Sequence, residues 1–154
     1  MQTLREKLIS FLNQSLKTKN EVALSTCRLM LAAIKDRDIQ SRSNNSDGKI
    51  SDAEIFTLFQ GMIKQRTESM KIYKDAGRNE LCEREKNEIQ VINIFLPEQK
   101  SDDALKQIIK EEKDMLNAKS IKDLGKLMSV LKDKYPGQLD MKKTAEFAKN
   151  ILSQ

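Results

Sequence analysis

The stretch Glu21-Val22-Ala23-Leu24-Ser25-Thr26-Cys27-Arg28-Leu29-Met30-Leu31-Ala32-Ala33-Ile34-Lys35 decides the fold. Ala23, Cys27, Met30 and Ile34 recur at spacings of three and four, which sets them on one line of a helix with 3.6 residues per turn. Leu24 and Leu31 widen that line, and so broad an apolar stripe belongs to a largely buried helix. Such a helix needs others around it, and the flanking sequence supplies them. Upstream, Leu4, Leu8, Phe11, Leu12 and Leu16 predict a helix from about Thr3 to Lys17. Thr18 and Glu21 have capping-box spacing, which predicts that the chain restarts as the second helix at Thr18. Downstream, the run from Ser41 to Lys49 holds no apolar residue and reads as a mobile loop.

Ser51 with Glu54 repeats the capping-box spacing and opens a third helix along Ile55, Phe59, Met62 and Tyr73, with Gly77 as its stop. A fourth takes Leu81, Glu85, Ile89, Ile92 and Leu96 and closes before Pro97, because the residue ahead of a proline avoids the helical region. Three shorter helices follow. One starts at Ser101, with Asp102 and Asp103 where the helix dipole favours anions. The next starts at Ser120 with Asp123, and the last at Asp140 after the turn Tyr135-Pro136-Gly137. The predicted class is all-α, with a four-helix N-terminal domain over residues 1–96 and a small three-helix domain over 97–154.

Composition agrees with that reading. A chain of 154 residues can bury enough surface to fold without a disulfide or a metal. With 33% charged residues, 5% aromatic, five Gly, two Pro and no Trp, it favours helices over a sandwich or barrel. The net charge of +5 permits a nucleic-acid partner without requiring one. Cys27 and Cys82 stand alone on separate predicted helices and read as small core hydrophobes of a reducing compartment. No apolar run approaches the roughly 18 residues of a membrane span, and Met1–Lys7 has no hydrophobic signal core. The expected location is the cytoplasm, with no membrane contact.

The absence of histidine removes whole classes of chemistry. Cys–His pairs, Ser–His–Asp triads and His-based zinc sites cannot be built, and two distant cysteines make no Cys₄ site. The phosphate-cradling patterns GxGxxG and GxxxxGK[ST] do not occur, nor do SxxK and GxSxG. The acid pairs Glu83 and Glu85, Glu111 and Glu112, and Asp102 and Asp103 have basic neighbours and read as solvated faces, the last pair also as a helix cap. The expectation is no catalytic residue, no metal and no cofactor.

The cations are the more informative feature. Arg28, Lys35 and Arg42 are seven residues apart and fall almost on one line, drifting about 20° per step. Lys64, Lys71 and Arg78 repeat the spacing, with Arg66 nearby, while Lys119, Lys122 and Lys126, and Lys142, Lys143 and Lys149, cluster further on. Glu68 and Asp75 lie four residues from Lys64 and Lys71, so an ordinary solvated face explains any single row. Taken together the rows are candidates for an anionic surface partner. Aromatics interleaved for base stacking are missing, so any nucleic acid would be held by backbone and shape contacts.

Four stretches carry a family resemblance: Arg28–Lys35, Lys64-Gln65-Arg66-Thr67-Glu68-Ser69, Tyr73-Lys74-Asp75-Ala76-Gly77-Arg78-Asn79-Glu80-Leu81, and Phe95-Leu96-Pro97-Glu98-Gln99. Their order and spacing resemble the YqeY family of the GatB/YqeY group, and Asp123–Met128 and Gly137–Asp140 are similar to its second half. The resemblance implies a small C-terminal domain like the tail of the B subunit of glutamine-dependent aspartyl/glutamyl-tRNA amidotransferase, which helps hold the tRNA. It thereby implies tRNA or another structured RNA as partner, places Gly125, Lys126 and Gly137 on the tRNA-facing tail, and links the chain to carbon–nitrogen ligase activity with glutamine as amido donor. The parts of that enzyme that bind ATP, activate the tRNA-linked acid and release ammonia have no counterpart here. Phe95 stands where the family usually has Tyr, and Cys82 where it has Ala. Three readings stay open: an RNA-binding module, an accessory subunit that supports transamidation alongside amidotransferase subunits, and a protein–protein adaptor with a groove lined by Met62, Met70, Met115 or Met128.

Overall fold

The computed structural model describes residues 1–44 and 47–154; Asn45 and Ser46, inside the loop read as mobile, lie outside the described residues. The described residues form seven α-helices and a short 3₁₀ turn, with no strand among them. They are α1 Leu4–Lys17, α2 Glu21–Ser41, α3 Asp52–Asp75, α4 Asn79–Asn93, α5 Asp102–Leu116, the 3₁₀ turn Ile121–Asp123, α6 Leu124–Lys134 and α7 Met141–Leu152. The chain divides into two compact units, Met1–Leu96 and Pro97–Gln154.

In the first unit the helix starts follow from side-chain caps. The Thr3 hydroxyl accepts the Glu6 N–H while the Glu6 carboxylate accepts the Thr3 N–H, and Ser51 and Glu54 repeat the exchange at α3. α2 departs from expectation. Its cap is Asn20, whose side-chain oxygen accepts the Ala23 N–H at 3.1 Å, whereas Thr18 closes α1 by donating its hydroxyl to the Gln14 carbonyl at 3.0 Å. The reason is local: Thr18 still has helical dihedrals, Lys19 turns the chain with φ 56, and only Asn20 has the extended backbone a cap needs. Between α3 and α4 the left-handed Gly77, φ 72, makes the turn.

The core of this unit is the α2 line of Ala23, Cys27, Met30 and Ile34 packed with Leu8, Ile50, Ile55, Phe59, Val91, Ile92 and Phe95. Phe95 meets the edge of Phe11 with ring centroids 5.2 Å apart. On α4 the buried line runs through Glu88, Val91 and Ile92, while Glu85 and Ile89 are only half-buried, so the inward face is rotated from the one expected. Gly61 sits exposed in mid-α3, and nothing lies within 4 Å of the position a Cβ would take. Gly61→Ala is therefore expected to raise stability by about 0.5–1 kcal/mol, read as a higher urea midpoint at unchanged m-value.

In the second unit Ser101 caps α5 by accepting the Ala104 N–H, and Asp140 caps α7 by accepting those of Lys142 and Lys143. Asp123 accepts the Lys119 and Ser120 N–H groups, so the segment opens as a 3₁₀ turn and becomes α6 at Leu124. Leu105, Ile109, Ala118, Leu127, Leu131, Leu139, Ala148 and Leu152 form the core. The lead-in to α5 is tied down as well: Lys100 N–H donates to the Gln138 carbonyl at 2.9 Å, and the Gln99 amide donates to Gly137 O.

Candidate nucleic-acid interface

The polar side chains fall into two sets, those consumed inside the fold and those left outside. Arg66 belongs to the first. Its side chain is 13% exposed; Nε donates to Glu88 Oε2 at 2.9 Å and Nη1 to the Met62 carbonyl at 3.2 Å. Arg84 reaches Glu88 Oε1 at 3.5 Å from the solvent side. Burial, and then the neighbouring charge of Glu88, push the Glu85 carboxyl above its ordinary range, against the pull of Arg66 and Arg84. Arg66, read from sequence as a companion of the cationic row, thus cross-links α3 to α4.

Two more internal pairs escaped the sequence reading. Arg5 grips Asp38 with both terminal nitrogens, at 2.7 and 2.8 Å, and also donates to the Ile50 carbonyl at 3.0 Å, while Asp38 accepts the Ile50 N–H at 2.8 Å. The hydrogen bond to Arg5 holds Asp38 below the usual carboxylate range and raises Arg5 in turn. In the second unit Glu112, expected on a solvated face, is buried and accepts from Lys134 Nζ. Its position had a signal. Glu112 stands between Ile109 and Leu116 on the apolar line of α5, and an acid on such a line needs a cation from another helix. Glu88 gave no such signal, because the line expected on α4 runs through Glu85.

The second set is exposed. Arg28, Lys35 and Arg42 lie on the solvent side of α2, separated by about 10.5 Å per seven-residue step. Lys64, Lys71 and Arg78 are exposed along and just beyond α3, and Lys142 and Lys149 on α7. Lys143 is exposed too but shares its charge with Asp102 at 3.3 Å. Lys119, Lys122 and Lys126 surround the start of α6, where Gly125 is exposed with open space above it. Backbone N–H groups from Lys119 and Ser120 hold the Asp123 carboxyl low, helped by Lys126. Among the described residues, none of Arg28, Lys35, Arg42, Lys122, Lys126, Lys142 and Lys149 is in an ion pair. Gly137 differs: it is buried, with φ 74, and serves the Tyr135–Gln138 turn.

Of the four methionines expected along an adaptor groove, only Met115 is exposed; Met62 packs on the first core and Met128 on the second, and Met70 is half-buried. Cys27 is buried, its thiol donating to the Leu8 carbonyl at 3.3 Å, and burial pushes its pKa up; Cys82 is half-buried. Among the described residues no group of His, Cys, Asp or Glu is placed to hold a metal ion, and no helix is long and apolar enough to cross a membrane.

These features define an all-helical module whose buried carboxylates Glu88 and Glu112 are each matched by a cation and whose surface carries exposed cations alongside exposed acids such as Glu68, Glu83 and Glu111. Residues 5–152 match the family described as Yqey-like protein, and the chain belongs to the YqeY family. Among curated proteins it is 28% identical over 85 residues to "Altered inheritance of mitochondria protein 41, mitochondrial" of Vanderwaltozyma polyspora, a match taking in 55% of this chain and 44% of that protein. The protein of the same name in Candida glabrata is 30% identical over 87 residues, 56% of this chain and 46% of its own length. The chain thus spans less than half of the length of these relatives, whose names place them in mitochondria.

Proposed function

We propose that this chain is a non-catalytic helical module that binds tRNA or a tRNA-bearing complex through the second unit. The observation that carries the reading is the set of unpaired lysines Lys119, Lys122 and Lys126 around the open backbone of Gly125, with Lys142 and Lys149 on α7 of the same unit. Lysines of this kind contact phosphates as point charges and carry no base code, so the module recognises shape and charge density. A bare glycine beside them lets a sugar-phosphate backbone come close to the helix. Family membership and the resemblance of the second unit to the amidotransferase tail support tRNA over other anions.

Binding of bulk tRNA to the full chain, followed by fluorescence anisotropy, tests the reading. With about four phosphate contacts, affinity is expected to fall roughly 100-fold between about 50 and 200 mM salt. Lys122→Glu with Lys126→Glu is expected to flatten that slope by about two contacts. No binding at about 50 mM salt and micromolar protein overturns the proposal.

The family's link to glutamine-dependent carbon–nitrogen ligases favours a second reading, an accessory subunit within a transamidating assembly. Added protein would then accelerate amidation of misacylated tRNA by the amidotransferase subunits, and an unchanged rate removes the idea. Both readings set the chain in a reducing compartment that contains tRNA, the cytoplasm first. Cell fractionation decides between that and the mitochondrial setting that the relatives' names state.

A further inference from the structure

The outer side of the α1–α2 hairpin carries an apolar strip that the RNA reading leaves unused. Two contacts fix how these helices face each other: the Arg5–Asp38 pair, and the Cys27 thiol on the Leu8 carbonyl. At 100° per residue from those anchors, the flank of α1 beyond Arg5 carries Leu16 and Ile9, with Leu12 on the core side of Arg5, and the flank of α2 beyond Asp38 carries Leu31 and Leu24. Ile9 and Leu16 are 50% and 47% exposed, while Leu12, Leu24 and Leu31 are half-buried. Single exposed apolar residues need no explanation. Here two of them stand one heptad apart above a floor of recessed leucines, which makes a shallow groove between parallel-lying helices. Its α2 rim is Arg28 and Lys35, continued by Arg42, none of them ion-paired among the described residues. Its α1 rim carries Asn13 and, next to it, the exposed acid Glu6.

We propose that this groove receives an amphipathic helix of another protein, with its apolar line against Ile9, Leu12, Leu16, Leu24 and Leu31 and acidic residues seven apart against Arg28 and Lys35. The charge complementarity is directional, because cations line one rim only and at helical spacing. Helix-in-groove recognition takes an apolar line at i, i+3, i+4 and i+7 with specificity at the edges. Ile9 to Leu16 and Arg28 to Lys35 each span about 10.5 Å, so the occupant needs at least about two turns. A bilayer fits less well, since recessed leucines cannot insert into lipid and a membrane-surface helix presents its apolar side chains outward.

The test uses the full chain and a labelled synthetic helix bearing leucines on one line and two glutamates seven apart on its flank. Saturable binding is expected, weakened at least roughly tenfold by Ile9→Glu with Leu16→Glu, and equally by Arg28→Glu with Lys35→Glu. The charge-reversed protein is expected to bind a peptide with lysines in place of the glutamates, which the unaltered protein rejects; this swap keeps the test decisive if the apolar variant misfolds. No saturable binding, or binding indifferent to both variants, overturns the proposal. So does flotation with phosphatidylglycerol vesicles, or concentration-dependent dimerisation, that these substitutions abolish, since either assigns the groove to another occupant. Because the residues lie in the first unit, tRNA binding is expected to survive all four substitutions.

Discussion

Arg66→Met is expected to cost the first unit about 3 kcal/mol, a large share of the 5–15 kcal/mol that holds a typical domain together. The substitution keeps most of the side-chain volume but leaves Glu88, 11% exposed at its side chain, with only Arg84 at 3.5 Å. The penalty comes from the stranded carboxylate, because removing one partner of a buried pair leaves a charge that neither water nor protein compensates. Loss of the bond to the Met62 carbonyl adds to it. The double variant Arg66→Met with Glu88→Leu is expected to recover most of the loss, since an apolar pair can replace a buried ion pair at little cost. Thermal melts followed by circular dichroism would show a fall on the order of 10 °C for the single change and a much smaller one for the double. Equal losses in the two would mean that shape and not charge decides at this position.

Asp38→Asn is expected to remove about 2–3 kcal/mol at neutral pH, because Asp38 accepts two bonds from Arg5 and one from Ile50. Its pH dependence has a definite sign. The folded-state pKa of Asp38 is lowered, chiefly by Arg5, so its contribution is fully present above the unfolded value near 3.9 and is lost as pH falls through the lower folded value. The gap in unfolding free energy between the natural protein and Asp38→Asn is therefore expected to be constant from about pH 7 down to about pH 5 and to shrink below about pH 4. Urea unfolding at a series of pH values measures this. A gap that stays constant to pH 2.5 would mean that the carboxylate charge contributes nothing. The contact also explains how the polar loop is closed: Arg5 and Asp38 hold the backbone of Ile50 from both sides, so α1, α2 and the entry to α3 meet at one carboxylate.

Much of the secondary structure was legible because its causes are local. Thr3 with Glu6, Ser51 with Glu54, Ser101 and Asp140 are caps that act within one turn of themselves, and each starts the helix expected of it. The Ala23, Cys27, Met30 and Ile34 line became core because no other face of α2 offers comparable apolar area. Asn20 shows where local reasoning slips. Both Thr18 and Asn20 are good caps by type, and the choice went to the residue whose backbone the turn at Lys19 left extended. The candidate site was legible as a list of cations and not as a surface. Arg66 and Lys126 look alike in sequence, yet one points at Glu88 and the other at solvent. Gly125 and Gly137 also look alike, yet one lies open on α6 and the other is buried in a turn.

By itself the sequence determined the all-helical class, nearly every helix start and the lack of any histidine-based chemistry, since hydrophobic period, capping and residue inventory need no knowledge of distant neighbours. Only the tertiary structure decided which charges are matched inside and which remain outside. Arg5 meets Asp38 across 33 residues, Arg66 meets Glu88 across 22, and Lys134 meets Glu112 across 22. Ion pairing is set by distance in space, and a partner that far along the chain leaves no mark in the spacing of either residue's own helix.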